Sequence, residues 1–363
     1  MRFIAVAVVA TALVPGLAGA ETDCGGKAEL RTYYQEPARI NPTDGSRCDF
    51  SGLTCTVALK GWLFVPPGPS RVSTAGAPMI IHNHGSEETP GAKCEIGEHF
   101  SGLGYVVFVP HRRGHGRSSG QYLEEYCAGA ADAGQCKMDY LHLQVADVKA
   151  AVDYTKSLRI HRGTLQVEEP RFRQVGDVIL EPARPNLLNL IDPTRVALMG
   201  HSFGGITVVF ANEQRLGQQA VVDIAGGSQS WEGNETARSE MRKAVRNGTS
   251  PIFFLEPMND KSIEPTFMLA TTAARACRQF QAAIYGPVDA TGDGIINDAD
   301  YVTDPDPTDD VTIGRDVAHG KFVSEHVATW APAAHEFMQR YFQKPAAPFD
   351  NKCDGTSSVP DTQ

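Results

Sequence analysis

A serine flanked by glycines follows a short apolar run near the middle of the chain. Residues 200–205 read GHSFGG, directly after the apolar run 196–199 and before the apolar residues 206–211. This order predicts a strand, a tight turn and a helix. Glycines permit the strained backbone of such a turn, which presents the Ser202 hydroxyl clear of the sheet, in front of the helix N–H groups. The alternative is an ordinary Gly/Ser turn, but the order of elements favours a nucleophilic serine.

The first 20 residues predict an export signal. Arg2 provides a positive start, residues 3–14 are apolar, and Ala18-Gly19-Ala20 forms a small-residue cleavage site. The apolar run is too short to span a bilayer. We therefore expect a signal peptide over residues 1–20 and a mature chain that is secreted or periplasmic, without a membrane anchor.

The chain is acidic, with 33 Lys and Arg residues against 43 Asp and Glu residues and a formal net charge of −10. Nucleic acids and anionic lipid surfaces are negatively charged and are bound by basic proteins. No run of basic residues offsets the acidic balance. We therefore expect neither nucleic acid nor an anionic membrane as a partner.

Eight cysteines follow the predicted cleavage site. An even number in an exported chain favours disulfides, and the lack of a CxxC motif argues against zinc and redox sites. Spacing suggests four pairs, although the sequence alone leaves the connectivity open: Cys48–Cys55, Cys127–Cys136, Cys277–Cys353 and the remaining Cys24–Cys94.

Apolar strand patterns alternate with helical patterns along the chain. Strands are predicted at 56–66, 79–82, 105–109, 196–199, 220–224 and 252–255, and helices at 144–158, 206–216, 232–246 and 322–342. This alternation predicts an α/β fold, with a mostly parallel, doubly wound sheet flanked by helices. We expect one domain over residues 21–363, with insertions at about 159–193 and 286–316 that shape a substrate pocket.

Two further motifs accompany the serine turn. Residues 82–86 read HNHGS after one predicted strand, and residues 113–118 read RGHGRS after the next. With these motifs the chain resembles the α/β-hydrolases, in particular the dienelactone-hydrolase-like esterases, over residues 56–342. The resemblance implies the α/β-hydrolase fold, a triad in the order Ser, acid, His, and ester cleavage without a catalytic cofactor.

The resemblance implies which acid and base assist Ser202. Asp260 lies where the family carries its acid, and Glu256 at the strand tip is the competing carboxylate. His319 is expected in a loop that enters a helix, where it matches the His-Gly segment carrying the family's base. His326 and His335 fall within the following helical pattern, where surface or packing roles are expected.

The resemblance also implies an oxyanion hole, formed by the backbone N–H groups of Phe203 and Ser86. Glu87 replaces Ser86 in this role if the loop is shifted by one residue. His82 and His84 resemble a metal-binding pair in spacing, but no further ligand pattern follows them. We interpret these two histidines as strand-end residues.

Residues 289–300 fit a twelve-residue EF-hand-type calcium loop with glycine at position 6. The loop resembles a dockerin-type loop, which likewise ends in Asp. The alternative is a solvated acidic turn. We expect a structural rather than catalytic calcium ion, which would order the segment before His319. Its expected ligands are the side chains of Asp289, Thr291, Asp293, Asn297 and Asp300 and the carbonyl oxygen of Ile295.

These features together predict an exported serine hydrolase that cleaves a small-molecule or polymer ester through an acyl-enzyme. Two alternatives remain. One is a serine peptidase of the same fold, which would usually need a large extra domain to gate peptides. The other is a catalytically silent protein that binds a partner through its calcium loop.

Overall fold

The computed structural model describes residues 22–34, 57–67, 76–161, 167–168, 187–227, 234–302 and 314–343. The predicted signal peptide lies outside these residues, as do Cys48, Cys55 and Cys353.

Strands and helices alternate through the described residues. The strands are β1 (Thr22–Asp23), β2 (Ala28–Tyr34), β3 (Ala58–Phe64), β4 (Ala77–Asn83), β5 (Val106–His111), β6 (Arg159–His161), β7 (Val167–Glu168), β8 (Leu187–Asn189), β9 (Ile191–His201), β10 (Ala220–Ile224), β11 (Ile252–Pro257) and β12 (Phe280–Tyr285). The α-helices are α1 (Cys94–Gly102), α2 (Leu123–Tyr126), α3 (Ala133–Ser157), α4 (Phe203–Ala211), α5 (Glu235–Asn247), α6 (Glu264–Arg275), α7 (Arg315–Ser324) and α8 (Val327–Gln343).

Nine of the described strands form one sheet in the order β1-β2-β3-β5-β4-β9-β10-β11-β12. In this order, neighbouring strands are antiparallel from β1 through β2 and β3 to β5. They are parallel from β5 through β4, β9, β10 and β11 to β12. The mostly parallel, doubly wound sheet is therefore confirmed. Since β4, β9, β10 and β11 are parallel, the loops after them meet at one edge of the sheet, where ligands bind in open α/β sheets.

Helices cover both faces of this sheet, so the central strands are apolar throughout. Every residue of β5, β10 and β11 is buried. Val148 of α3 and Ile206 of α4 belong to the core on one face, whereas Phe100 of α1 and Trp330 of α8 belong to the core on the other. Burying one such side chain contributes about 1.5–3 kcal/mol, which explains why the strands read as continuous apolar runs.

Some elements differ from the sequence prediction. Strands β2 and β12 were not predicted, because neither has a continuous apolar run. Strand β12 lies at one edge of the sheet, and β2 lies next to the two-residue edge strand β1. The helix predicted over 322–342 is wrong as a single element, since α7 and α8 are separate. The indole N–H of Trp330 donates to the Phe322 carbonyl oxygen at 3.0 Å, which folds α8 back against the end of α7.

The predicted insertion 159–193 contains regular structure. Strands β6, β7 and β8 form a small antiparallel sheet in the order β7-β6-β8, and β9 begins at Ile191. The predicted strand 196–199 is therefore the buried end of a longer strand. Among the described residues, no helix combines the length and apolar character needed to cross a membrane.

Two disulfides join described residues. Cys24 is bonded to Cys94 at the start of α1, and Cys127 is bonded to Cys136 in α3. Both pairs agree with the suggested connectivity. Cys277 is also disulfide-bonded.

We expect the two disulfides to contribute unequally to stability. The Cys24–Cys94 bond closes a separation of 70 residues and the Cys127–Cys136 bond one of only 9. Loop-closure entropy then predicts that a Cys24→Ser/Cys94→Ser variant loses about 4 kcal/mol, and a Cys127→Ser/Cys136→Ser variant about 2.5 kcal/mol. Urea unfolding of both variants measures the difference, and equal losses would contradict the entropic account.

Candidate active site

The predicted nucleophile lies at a sharp turn between β9 and α4. Ser202 has φ 56° and ψ −121°, a backbone conformation that residues other than glycine rarely adopt. Its N–H donates to the Ile224 carbonyl oxygen at 2.9 Å, and its own carbonyl oxygen accepts from the Gly205 N–H at 2.9 Å. The next strand and the first turn of α4 therefore both hold the strained residue.

Two glycines of the motif are required by close backbone approaches. A Cβ atom on Gly204 would lie 2.2 Å from the His84 carbonyl oxygen, and one on Gly200 would lie 2.1 Å from the Gly204 carbonyl oxygen. A side chain at Gly204 would push the serine turn away from the end of β4, and one at Gly200 would push α4 away from β9. The sequence motif thus encodes contact between the turn and the end of the neighbouring strand.

His319 and Asp260 are paired, as the resemblance implied. The His319 Nδ1 atom lies 2.9 and 2.8 Å from the two carboxylate oxygens of Asp260, and both side chains are buried. Because the carboxylate accepts, Nδ1 carries the proton, and Nε2 is left as the acceptor. The expected location of His319 in a loop is wrong, since it lies within α7. His326 follows α7, and His335 lies in α8.

Glu256, the competing carboxylate, does not take this place. It is buried at the end of β11, and His319 pairs with Asp260 instead. Burial, followed by the charge of Asp260, raises the pKa of Glu256 well above its ordinary value. Burial beside Asp260 therefore favours the neutral form of Glu256.

His201 links the serine turn to the helix that carries His319. Its Nε2–H donates to the His319 carbonyl oxygen at 3.1 Å, and the two rings lie 4.6 Å apart. Burial, followed by the nearby His319, lowers the pKa of His201 well below its ordinary value, so the ring is neutral. Sequence reasoning missed this role, because the motif tolerates any residue at this position.

Ser202 and His319 border one cavity of about 280 Å³. Its wall includes both predicted oxyanion-hole residues, together with several charged side chains. Within that wall Lys261 forms an ion pair with Asp316. The lining residues are Gly85, Ser86, Glu87, Leu123, Glu124, Lys137, His201, Ser202, Phe203, Gly227, Lys261, Asp316, His319 and Gly320.

The two predicted oxyanion donors approach this cavity from different elements. Phe203 is the first residue of α4, so its N–H has no acceptor within the helix. Ser86 lies in the loop after β4, where its carbonyl oxygen accepts a hydrogen bond from the Tyr122 hydroxyl. Glu87, the substitute donor, also lines the cavity.

His82 and His84 are buried strand-end residues, as interpreted from the sequence. Burial lowers the pKa of His82 to about 3 and that of His84 well below its ordinary value, so both rings are neutral. Neither histidine belongs to a cluster of three metal-ligating side chains in the described part of the chain.

The acidic loop is folded by its own carboxylates. Asp289 accepts hydrogen bonds from the N–H groups of Gly292 at 2.6 Å and Gly294 at 2.7 Å. Asp300 is buried and accepts from the N–H groups of Ala290, Thr291 and Asn297 at 2.7 to 3.0 Å. These backbone hydrogen bonds lower the pKa of both carboxyls.

Within the described residues, the carboxylates of the three Asp residues predicted as ligands do not converge to within 4.8 Å of one another. All six predicted ligand atoms are nevertheless oxygens on a single loop, which is the donor set that calcium takes. A bound ion would have to draw these oxygens together. Calcium binding therefore stays a prediction.

Two side chains attach the acidic loop to the acid–base pair. Asn259, next to Asp260, is buried and donates to the carbonyl oxygens of Val288 at 2.8 Å and Asp300 at 3.0 Å. Lys321, two residues after His319 in α7, donates to the carbonyl oxygens at both Asp289 and Ala290. The loop therefore contacts the segments that carry both members of the pair.

Comparison with known proteins identifies the fold. No protein-family model matches the chain. Among solved structures, the Pyrococcus horikoshii acylaminoacyl peptidase is similar with a TM-score of 0.51 at 14% identity, covering 90% of this chain and 43% of the peptidase. The Pyrococcus furiosus esterase Pf2001 has a TM-score of 0.46 at 13% identity, covering 86% of this chain and 91% of the esterase. The chain has the α/β-hydrolase fold. It spans less than half of the peptidase's length.

The pairing of His319 with Asp260 predicts opposite outcomes for two carboxylate variants. Asp260→Asn should lower kcat by up to about 10⁴-fold, because an amide cannot hold the imidazole in its working tautomer. Glu256→Gln should change kcat by less than about threefold, since burial favours the neutral form of Glu256 and an amide can donate to Asp260 as that form does. Steady-state kinetics at pH 7 would reject the assignment of Asp260 if the order of the two effects were reversed.

Proposed function

We propose that the protein is an exported serine hydrolase that cleaves carboxylic esters through Ser202, His319 and Asp260. The observation that carries this proposal is the His319–Asp260 pair, with Nδ1 at 2.8 Å from the carboxylate, beside the cavity that Ser202 also lines. A strained serine turn supports the same role, because it exposes the serine hydroxyl ahead of a helix N-terminus.

In the acylation step, His319 Nε2 takes the proton from the Ser202 hydroxyl as its oxygen attacks the ester carbonyl. Asp260 accepts from Nδ1–H, so it orients the imidazole and stabilises the imidazolium that forms. The carbonyl oxygen gains negative charge, which the N–H groups of Phe203 and Ser86 stabilise. His319 then returns the proton to the leaving alkoxide, and an acyl-enzyme remains.

Deacylation repeats these steps with water as the nucleophile. His319 removes a proton from water, the resulting oxygen attacks the acyl carbon, and Ser202 leaves with the proton from the imidazolium. His201 supports this cycle, because it holds the backbone of His319 against the serine turn and stays neutral itself. It therefore adds no positive charge that would disfavour the imidazolium of His319.

We further propose that the substrate is an ester with a short acyl group. A cavity of about 280 Å³ is near the lower end for ligand sites, which favours a short acyl group with the alcohol part outside. The motifs in residues 82–86, 113–118 and 200–205 support a dienelactone-hydrolase-like esterase. An acylaminoacyl peptidase shares the fold, and the match to this chain covers 43% of that protein.

Ester turnover and covalent labelling test the proposal together. Wild-type protein should hydrolyse a short-chain p-nitrophenyl ester and react with a fluorophosphonate probe at Ser202. Ser202→Ala should lose about 10⁴-fold or more in kcat while keeping its unfolding temperature, because only one side-chain oxygen is removed.

Control reactions separate the alternatives. An N-acyl aminoacyl p-nitroanilide cleaved faster than the ester would identify a peptidase, and polymer esters compared with aryl esters would define the leaving group. Folded wild-type protein that neither turns over esters nor reacts with the probe would instead favour a catalytically silent binding protein.

We also propose export, with the leader over residues 1–20, and a structural calcium ion in the loop 289–300. The disulfides Cys24–Cys94 and Cys127–Cys136 are compatible with an oxidising compartment. The contacts of Asn259 and Lys321 support the calcium proposal, because ordering the loop would steady the segments around Asp260 and His319. The ion itself takes no part in the chemistry.

Calcium should raise the unfolding temperature and slow proteolysis within residues 286–316, since an ion bound only by the folded state stabilises it. A chelator should reverse both effects and lower ester turnover, and Asp293→Ala should reproduce the chelated state. Calorimetry measures binding directly. If calcium neither binds nor alters stability, the loop is a solvated acidic turn.

A further inference from the structure

Arg112 is a buried cation that holds the loop after β4. It follows β5 directly and has no exposed surface. Its Nη1 donates to the His84 carbonyl oxygen and its Nη2 to the Gly85 carbonyl oxygen, each at 2.7 Å. Its Nε donates to the Gln144 side-chain oxygen of α3, also at 2.7 Å. One planar guanidinium thus fixes two successive peptide groups relative to a helix.

These contacts determine the direction of the Ser86 N–H. The peptide bond between Gly85 and Ser86 is trans, so its C=O and N–H point in opposite directions. The Gly85 carbonyl oxygen is held by Arg112 and also accepts from His84 Nδ1 at 2.9 Å. The Ser86 N–H therefore points away from Arg112, on the side where Gly85 and Ser86 border the cavity.

The same contacts make the Ser86 N–H a stronger donor. A cation bound to a carbonyl oxygen draws electron density from the peptide group and increases the polarity of its N–H. Burial lowers the pKa of Arg112 to about 10, so the guanidinium remains charged at pH 7. The acceptors of its three hydrogen bonds are neutral, so none of them cancels this charge.

We propose that Arg112 is a positioning residue that orients and polarises the Ser86 N–H as an oxyanion donor, an inference that rests on the proposed hydrolase function. Arg112 does not line the cavity and does not touch the substrate. It acts through the peptide group between Gly85 and Ser86. Its effect should therefore be greater on the tetrahedral intermediate than on the bound ester.

The adjacent Arg113 is a matched control. It is also buried and follows the same strand, but its guanidinium pairs with Asp147 of α3, with Nη2 at 2.8 Å from a carboxylate oxygen. Its side chain therefore fastens β5 to α3 rather than holding the carbonyl groups of His84 and Gly85. Loss of Arg113 should lower stability without a selective effect on oxyanion binding.

The test compares Arg112→Met and Arg112→Lys with Arg113→Met, using the p-nitrophenyl ester and a trifluoromethyl ketone inhibitor. Ser202 adds to the ketone carbon, the oxygen takes the negative charge, and the serine proton passes to His319. For Arg112→Met we expect kcat to fall by about 10²-fold with KM within about threefold. The inhibition constant should rise by the same factor as kcat falls, and Arg112→Lys should recover part of both.

Controls decide between positioning and general destabilisation. Arg113→Met should lower the unfolding temperature but leave the ratio of inhibition constant to KM unchanged. Gln144→Met, which removes the Nε acceptor of Arg112, should raise this ratio by a smaller factor than Arg112→Met. If Arg112→Met does not fold, the ratio of inhibition constant to KM is compared between Arg113→Met and the two variants Arg112→Lys and Gln144→Met. Folded Arg112 variants with an unchanged ratio would overturn the proposal.

A measurement independent of turnover separates this proposal from the proposed function. In protein labelled with ¹⁵N-serine, the Ser86 amide resonance, assigned with a Ser86→Ala variant, should move in Arg112→Lys and stay in place in Arg113→Lys. An inactive wild type would refute the hydrolase but leave this result interpretable. An unmoved Ser86 resonance in Arg112→Lys would refute the positioning role, whatever the activity.

Discussion

The candidate site depends on one strained residue, Ser202, held between a strand and a helix. A positive φ at a non-glycine residue costs about 1–3 kcal/mol and persists only when its surroundings enforce it. Here the enforcement comes from the Ile224 carbonyl oxygen, which binds the Ser202 N–H, and from α4, every residue of which is buried. The close approach of Gly204 to His84 then brings the serine turn into contact with the loop after β4. The core packing of α4 therefore stabilises the exposed serine.

Local patterns predicted the parts of the site that lie within one strand–turn–helix unit. Ser202 was found because glycines and apolar runs surround it within ten residues, whereas the role of Phe203 as an oxyanion donor came from the family resemblance. The pairing of Asp260 with His319, 59 residues apart, came from a family resemblance, since no local pattern encodes it. Arg112 was missed for the same reason, because its role exists only where β5, α3 and the loop after β4 meet.

Edges and breaks were the least predictable parts of the fold. Strand β12 is only partly buried, so its sequence lacks the apolar run that identifies central strands. The junction between α7 and α8 is bridged by the hydrogen bond from Trp330 to the Phe322 carbonyl oxygen, which is a tertiary contact. A continuous helical pattern cannot reveal such a bend. His319 was consequently expected in a loop, although the helix that carries it fixes its backbone more firmly.

Three charged side chains, Glu87, Lys93 and Arg112, surround the loop after β4, which carries the proposed oxyanion donor Ser86. Glu87 lines the cavity, and its carboxylate alone would oppose an oxyanion. Burial would raise the pKa of Glu87, but the nearby His84, whose Nδ1 lies 3.8 Å from the carboxylate, and the charge of Lys93 together hold that pKa well below its usual range. Lys93 also lies 2.6 Å from the Glu87 carboxylate and compensates its charge. Arg112, in contrast, donates to neutral acceptors only, so its charge acts on the Gly85–Ser86 peptide. Because Lys93 pairs with the Glu87 carboxylate while Arg112 donates to uncharged acceptors, these local charges favour negative charge beside the Ser86 N–H.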